Sequence, residues 1–285
     1  MEVSMKHTVN FALIGCGRVS VNHLDAIKNA PHANLVAVCD IDIKKAESIA
    51  KENNCSFYSD YITMLESENI DVCSILTPSG YHAQIGCEVA KRGVNVLCEK
   101  PIDVTREKAD MLIKCCKDNN VKLGCIFQRR TYDAAIKTKE AVEKGLLGKV
   151  TLADAYLKYY RDAEYYASGD WRGTLALDGG ALMNQSIHGI DMINWIMGGI
   201  ESVDADCQTY AWNIEAEDTA VIRVKYKNGA MGVIKVLPLH IRDLKQYLQF
   251  MEQREVSFLA IKVFICGILK TNQSLFLKLQ TPWAA

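Results

Sequence analysis

Short apolar runs and helical periods alternate along the first 127 residues of the chain. Residues 11–14 read as a strand stopped by a glycine turn. Residues 35–39 read as a second strand ending at Asp40, and 72–76 as another, stopped by Thr77 and Pro78. The run 94–98 leads into Glu99-Lys100-Pro101, and 122–127 closes the series. Amphipathic stretches such as 83–91 and 106–117 lie between them. Apolar strands separated by helices predict a doubly wound parallel sheet covered on both faces, an α/β arrangement.

The pattern changes near residue 125. Residues 133–144 predict a helix closed by Gly145, 150–160 a strand and 182–197 a helix. Strands follow at 203–212 and 219–226, the second joined through Asn228-Gly229 to 231–235. Asn-Gly between alternating runs is a strong hairpin signal. A C-terminal α+β domain with an open, mainly antiparallel sheet is expected. After Lys235 the character shifts again. Residues 236–285 hold one glycine, no Asn-Gly turn and an apolar run over 256–269 broken by Lys262. We read this tail as the product of a shifted reading frame with an early stop, against the alternative of a divergent helical ending. It predicts a truncated second sheet. The expected organisation is therefore 8–127, 128–235 and an anomalous tail, 236–285.

Composition adds limits. With 285 residues, 49% hydrophobic and 24% charged, the chain is long enough for about two cores. A net charge of -1, with no basic stripe, argues against nucleic acid as a partner. The 11 cysteines fall mostly singly in apolar runs; only Cys115 and Cys116 adjoin, and no C-x-x-C occurs. They read as small buried hydrophobes in a reducing compartment, with no metal site. Residues 1–10 lack the apolar core of a signal peptide, and no window reaches the ~18 apolar residues of a membrane span. A cytoplasmic location without membrane attachment is expected.

The glycine turn carries the first chemistry. Gly15-Cys16-Gly17-Arg18-Val19-Ser20 follows a strand and opens a helix. The first glycine permits the tight turn, the second lets a pyrophosphate approach, and the small Ser20 lets helix and strand pack closely. The helix start then offers free N–H groups and partial positive charge to phosphate. Asp40, twenty positions after Ser20, can accept both ribose hydroxyls and would repel a 2′-phosphate, which favours NAD over NADP. Asp42 is the better candidate for capping the next helix.

Thr77-Pro78-Ser79-Gly80-Tyr81-His82 and Glu99-Lys100-Pro101 stand at the carboxyl ends of two further strands, where open α/β sheets bind ligands. His188 lies four residues after Asn184 and three before Asp191; with Trp195 these would share one helix face. Alcohol oxidation needs a base for the hydroxyl proton, and an imidazole with a pKa of about 6.5 suits that work. Lys100 could hydrogen-bond the same oxygen and stabilise alkoxide charge. Glu99 would position Lys100 or the cofactor, and His23 and His82 would brace the cofactor crevice.

These residues together resemble the glucose–fructose oxidoreductase, inositol dehydrogenase and rhizopine-catabolism family, Gfo/Idh/MocA, over about residues 8–235. The markers are residues 15–23, 77–82 and 99–101 and the Asn184–His188 pair. The resemblance implies a Rossmann domain followed by an open-sheet domain, a sheet-mediated dimer or tetramer, and Lys100 with His188 as the catalytic pair. NAD contacts are expected from Gly15, Gly17, Arg18, Val19, Asp40, Thr77, Pro78, His82, Glu99, Lys100 and Gln128. Many relatives carry aspartate where this chain has Asn184, which weakens any acid–histidine dyad here.

Gly169-Asp170-Trp171-Arg172-Gly173-Thr174 and Gly179-Gly180-Ala181 are similar to a branch acting on nucleotide sugars, the 3-dehydrogenases of UDP-N-acetylglucosamine and its uronic acid. That branch serves polysaccharide biosynthesis, and a 2-oxo acid could recycle the cofactor. Arg129, Arg172, Asn184, Gln185 and His188 are the expected substrate contacts; an arginine fork suits diphosphate or carboxylate. Inositol, a free aldose or a dihydrodiol are rival substrates. A chain that binds NAD without turnover is the rival reading from outside enzymology.

Overall fold

A computed structural model describes residues 8–237, together with the backbone of 247–252, 256–260 and 264–266. Residues 1–7 and the rest of the tail lie outside the described residues. The chain forms two compact units. One runs to Ile126 and also includes Ala176–Asp178; the other comprises Phe127–Leu175 and the chain from Gly179 onward. No described helix is long and apolar enough to cross a membrane.

The first unit alternates β1 (Val9–Ile14), α1 (Ser20–Asn29), β2 (Ala33–Cys39), α2 (Ile43–Asn53), β3 (Ser56–Tyr58), α3 (Tyr61–Ser67), β4 (Val72–Ile75), α4 (His82–Lys91), β5 (Asn95–Cys98), α5 (Arg106–Asp118) and β6 (Leu123–Cys125). Its strands are parallel in the order β3-β2-β1-β4-β5-β6. Leu13 and Val38 pack on one face with Ile27 and Ala46, while Ile14 and Ile75 face Val89 and Leu112 on the other. Both faces are covered, so the strands read as continuous apolar runs. β3 and α3 escape the sequence reading because a three-residue edge strand has no room for a period.

The second unit contains α6 (Asp133–Glu143), β7 (Val150–Lys158), α7 (Ala163–Ala167), α8 (Ile187–Ile196), β8 (Ile200–Gln208), β9 (Thr219–Tyr226) and β10 (Met231–Leu237). β7 and β10 run parallel, and every other pairing in its sheet is antiparallel. Ala220, Ile222, Val224 and Tyr226 alternate inward along β9 and share a core with Ile193 and Ile196 of α8. α8 lies close on β7: a methyl group on Gly189 would stand 2.3 Å from the Leu157 side chain. Gly229, at φ 86°, closes the β9–β10 hairpin.

Three expectations need correction. The helix foreseen over 182–197 is interrupted. Ala181–Gln185 form a π-helical turn, in which the Ser186 N–H reaches back five residues to the Ala181 carbonyl at 2.8 Å, and α8 starts only afterwards. Asn184 is therefore not on the α-helical face of His188. The strand foreseen over 203–212 stops at Gln208, because the fully buried Asp218 accepts the N–H groups of Tyr210, Ala211 and Trp212 at 2.7–3.1 Å and draws them out of the ladder. The tail also adds strands where a shortened sheet was expected. β11 (Tyr247–Glu252), β12 (Val256–Ala260) and β13 (Phe264–Cys266) give the order β13-β12-β11-β7-β10-β9-β8.

Asp218→Ala leaves three backbone donors and the Thr219 hydroxyl without their acceptor. We expect a loss of about 3 kcal/mol from the second unit. All four tryptophans follow residue 170. A lower urea midpoint read by tryptophan fluorescence checks the loss, and an unchanged midpoint refutes it.

Candidate active site

The glycine turn joins β1 to α1. Gly15 has φ 105°, and a methyl group on it would lie 2.8 Å from the carbonyl carbon and oxygen of Leu76. A methyl group on Gly17 would meet nothing within 4 Å, so the chain leaves open space beside that backbone. Arg18 is exposed and Val19 precedes the first turn of α1. Ser20 is buried, its hydroxyl donating to the Gly17 carbonyl at 2.7 Å. The Asp40 carboxylate accepts the Cys16 N–H at 2.7 Å and the Asp42 N–H at 2.8 Å. It thus fastens the turn that it would serve. Asp42 itself caps α2, as its position suggested. Burial, with Asp40 alongside, pushes the Cys16 thiol up to about 12, so it remains a neutral packing group.

Two further loops close on this edge of the sheet. Thr77 and Pro78 follow β4, and the buried Thr77 hydroxyl oxygen has no hydrogen-bond partner. His82 is buried between two carbonyls, with Nδ1 2.8 Å from that of Pro101 and Nε2 2.9 Å from that of Thr77. It clasps the 77–82 loop to the segment after β5. Gly80 is equally constrained: its N–H donates to Leu177 at 3.1 Å, and a methyl group there would strike the Ala176 carbonyl oxygen at 2.0 Å. Asp103, buried and unforeseen, accepts the Ala83 N–H at 3.0 Å and the Val104 N–H at 2.7 Å. Its Ala83 partner lies across the loop, so sequence spacing gives no sign of that tie.

Glu99 links the β5 loop to α1. Its carboxylate lies 3.1 Å from His23 Nε2 and accepts the Lys100 N–H at 3.1 Å. Burial alone would raise the Glu99 carboxyl; the hydrogen bonds from His23 and Lys100, with their charges, outweigh it and hold the group below its usual value. Glu99 therefore ties the backbone of Lys100 to α1. Gly15, Asp40, Thr77 and Lys100 stand together where β1, β2, β4 and β5 end. An open backbone beside Gly17, a helix start, a carboxylate and an unpartnered buried hydroxyl fit the pyrophosphate and ribose of NAD.

The remaining candidates lie in the second unit. His188 is buried on α8, edge-on to Phe127 with centroids 6.1 Å apart. Asp191, expected on the same helix face, pairs with Arg130: Nε donates to Oδ2 at 2.8 Å and an Nη donates to Oδ1. Arg130 also stacks over Phe127 and Trp195. Asp191 and Trp195 are thus part of a structural brace. Gln128 is exposed in a short 3-10 turn, and Arg129 stands over the Tyr159 ring at 6.0 Å.

Tyr165 is a hub of this region. Its hydroxyl oxygen is 3.1 Å from Asn184 Nδ2 and 3.3 Å from Gln185 Nε2, while the Arg172 and Arg161 guanidinium groups stand 4.1 and 4.8 Å from its ring. Gly179-Gly180 sets up the π-helical turn. Gly180, at φ 79°, faces the Glu217 carboxylate 2.3 Å from where a methyl carbon would sit, and that carboxylate accepts the Leu182 N–H at 2.8 Å. The structure thus brings Asn184, Gln185 and Arg172 together around Tyr165. It places Lys100 and the expected cofactor residues other than Gln128 in the first unit.

Comparison with known proteins gives a consistent picture. Residues 9–127 match the NAD-binding Rossmann fold of the GFO/IDH/MocA oxidoreductase family, and residues 136–240 match its C-terminal domain. The WlbA dehydrogenase of Bordetella pertussis, solved with NADH and UDP-GlcNAcA, is 33% identical with a TM-score of 0.86, over 89% of this chain and 77% of that one. The myo-inositol 2-dehydrogenase of Thermotoga maritima is 28% identical over 79% of this chain and 67% of its own length. The oxidoreductase YrbE of Bacillus subtilis, whose activity is uncharacterised, is 30% identical over 78% of this chain. The chain spans 65% of the length of YrbE, just under two thirds.

The Glu99 brace gives a pH signature. A carboxyl whose folded value is depressed adds stability above its unfolded value of about 4.3 and loses it as pH falls through the folded value. Glu99→Gln should therefore be less stable than the parent at pH 7, with a smaller gap at about pH 3. Urea midpoints read by circular dichroism at the two pH values check this; a gap independent of pH would refute it.

Proposed function

The chain belongs to the GFO/IDH/MocA oxidoreductase family, and we propose that it oxidises a secondary hydroxyl of a sugar to a ketone with NAD, acting at C3 of a UDP-N-acetylhexosamine or its uronic acid. The observation that carries the reading is the convergence of Gly15, Asp40, Thr77 and Lys100 at the carboxyl ends of four parallel strands, in a chain 33% identical to a dehydrogenase solved with NADH and UDP-GlcNAcA. Bound NAD would supply the hydride acceptor. Asp40 would take the adenosine ribose hydroxyls, Gly17 and the start of α1 the pyrophosphate, and Thr77 a polar group nearer the nicotinamide.

The chain's own chemistry divides between two side chains. His188 takes the hydroxyl proton, and Lys100 donates to the same oxygen as negative charge develops on it. Glu99 acts through Lys100 by holding its backbone. Asn184 holds Tyr165, so it serves the substrate side rather than a proton relay. Arg129 and Arg172 offer charge to the diphosphate, Arg172 with its Nε engaged by Ser168 at 2.8 Å. A 2-oxo acid serves as the acceptor that restores NAD. Oxidation of inositol is the second reading, favoured by the similarity to the Thermotoga maritima enzyme.

NADH formation at 340 nm with UDP-N-acetylglucosamine, its uronic acid and myo-inositol tests the proposal. We expect turnover with a nucleotide sugar, reduced about 10²–10⁴-fold in Lys100→Ala and in His188→Ala. Turnover unaffected by either substitution would overturn the assigned roles, and turnover with inositol alone would select the second reading.

A further inference from the structure

Two helices on one face of the parallel sheet carry a pair of thiols that the proposed oxidation leaves unused. α4 and α5 pack side by side, and Gly86 sets how closely: a methyl group there would stand 2.6 Å from Leu112 Cδ1. The next residue of α4, Cys87, faces α5, with its sulfur 4.0 Å from the Met111 carbonyl oxygen. Cys115, one turn on from Met111, faces the other way, with its sulfur 3.6 Å from the Cys87 carbonyl oxygen. The two side chains thus cross between the helices, and the thiols lie within hydrogen-bonding reach of each other. A disulfide requires close, mutually facing Cβ atoms, and side chains that each reach the opposite backbone meet the facing condition. Both cysteines are free thiols.

The pair is also accessible. Cys87 and Cys115 line an open groove on the surface of the first unit, together with Lys91, Lys114 and Asn119. Cys115 is half-buried, and Asn119 Nδ2 donates toward its sulfur at 3.7 Å. Cys87 lies deeper. Burial, with the Cys115 thiol alongside, pushes the Cys87 thiol up to about 12, so it stays protonated and Cys115 is the sulfur that meets an oxidant. The adjacent Cys116 points elsewhere: it follows Leu112 by one turn of α5 and is buried with it in the core.

We propose that Cys87 and Cys115 form a modification site, a dithiol that peroxide oxidises to a disulfide stapling α4 to α5. The Cys115 sulfur attacks one peroxide oxygen. The O–O bond breaks, a sulfenic acid forms, and the other oxygen leaves as water with the thiol proton. The Cys87 sulfur then attacks the sulfenyl sulfur. The S–S bond forms as the S–O bond breaks, and the hydroxyl leaves with the Cys87 proton as a second water. Two electrons pass from the sulfurs to the peroxide. The site needs neither NAD nor a sugar, so it stands apart from the reading of the active site.

The full chain is treated with hydrogen peroxide, alkylated without reduction and digested with chymotrypsin and trypsin. Cleavage after Tyr81 separates Cys87 from Cys73. Mass spectrometry should find the Cys87 peptide joined to the one carrying Cys115 and Cys116, and dithiothreitol should release it. The link should vanish in Cys115→Ser and persist in Cys116→Ser. By closing the loop between residues 87 and 115, it should raise the melting temperature of the parent by about 5 °C, a rise absent from Cys115→Ser. The digest of the parent decides the matter if a variant does not fold. Cys87 left as a free thiol while other cysteines oxidise would overturn the proposal. So would Cys87 joined to a cysteine other than Cys115, or a link that leaves the melting temperature unchanged or lowers it.

Discussion

The first unit depends on how closely two backbones approach at Gly15. β1 ends there between β2 and β4, and the turn is tied to both: Gly15 N–H donates to Cys39 and Leu76 N–H donates to Ile14, each at 2.8 Å. Only a residue without a side chain can stand at φ 105° with the Leu76 carbonyl 2.8 Å from its missing methyl group. The start of α1, the aim of its free N–H groups and the reach of His23 to Glu99 all follow from that contact. Asp40 adds a second tie by accepting from Cys16. The carboxylate proposed to take the ribose is thereby also a clamp on the turn proposed to take the phosphates, so one side chain would couple the two halves of dinucleotide recognition.

The second unit solves a different problem with similar means. Gly189 brings α8 down onto β7, and Gly180 lets a carboxylate sit where a side chain would be. The Glu217 clamp then starts a π-helical turn, which carries one extra residue relative to an α-helix. That extra residue turns Asn184 and Gln185 toward Tyr165. The side chains nearest the proposed substrate are thus aimed by a distortion of the helix.

Legibility in the sequence tracks distance along the chain. The strand ends, the glycine turn, the Asp42 cap and the Asn228-Gly229 hairpin are written in neighbouring residues, and reading them gives the sheet types and the cofactor edge. What escapes the reading is made by partners far apart. The Arg130–Asp191 pair spans 61 positions and the Leu182–Glu217 contact 35. Asp218 removes Tyr210 to Trp212 from a strand by bonds that no period reveals. Helical spacing placed Asn184 on the face of His188, and the spacing misled because the turn between them is not α-helical. The tail shows the same limit from the other side: its composition suggested a sheet cut short, yet its backbone lies beside β7.

Ala176–Asp178 belongs to the first unit although it sits well inside the sequence of the second. The polypeptide therefore passes from one unit to the other three times, and the 77–82 loop leans on a segment delivered almost a hundred residues later. No single cut yields two whole modules. A gene fragment ending at Ile126 would encode the parallel sheet without the strap under Gly80. A graft of the cofactor half onto another partner would therefore have to supply its own strap under Gly80.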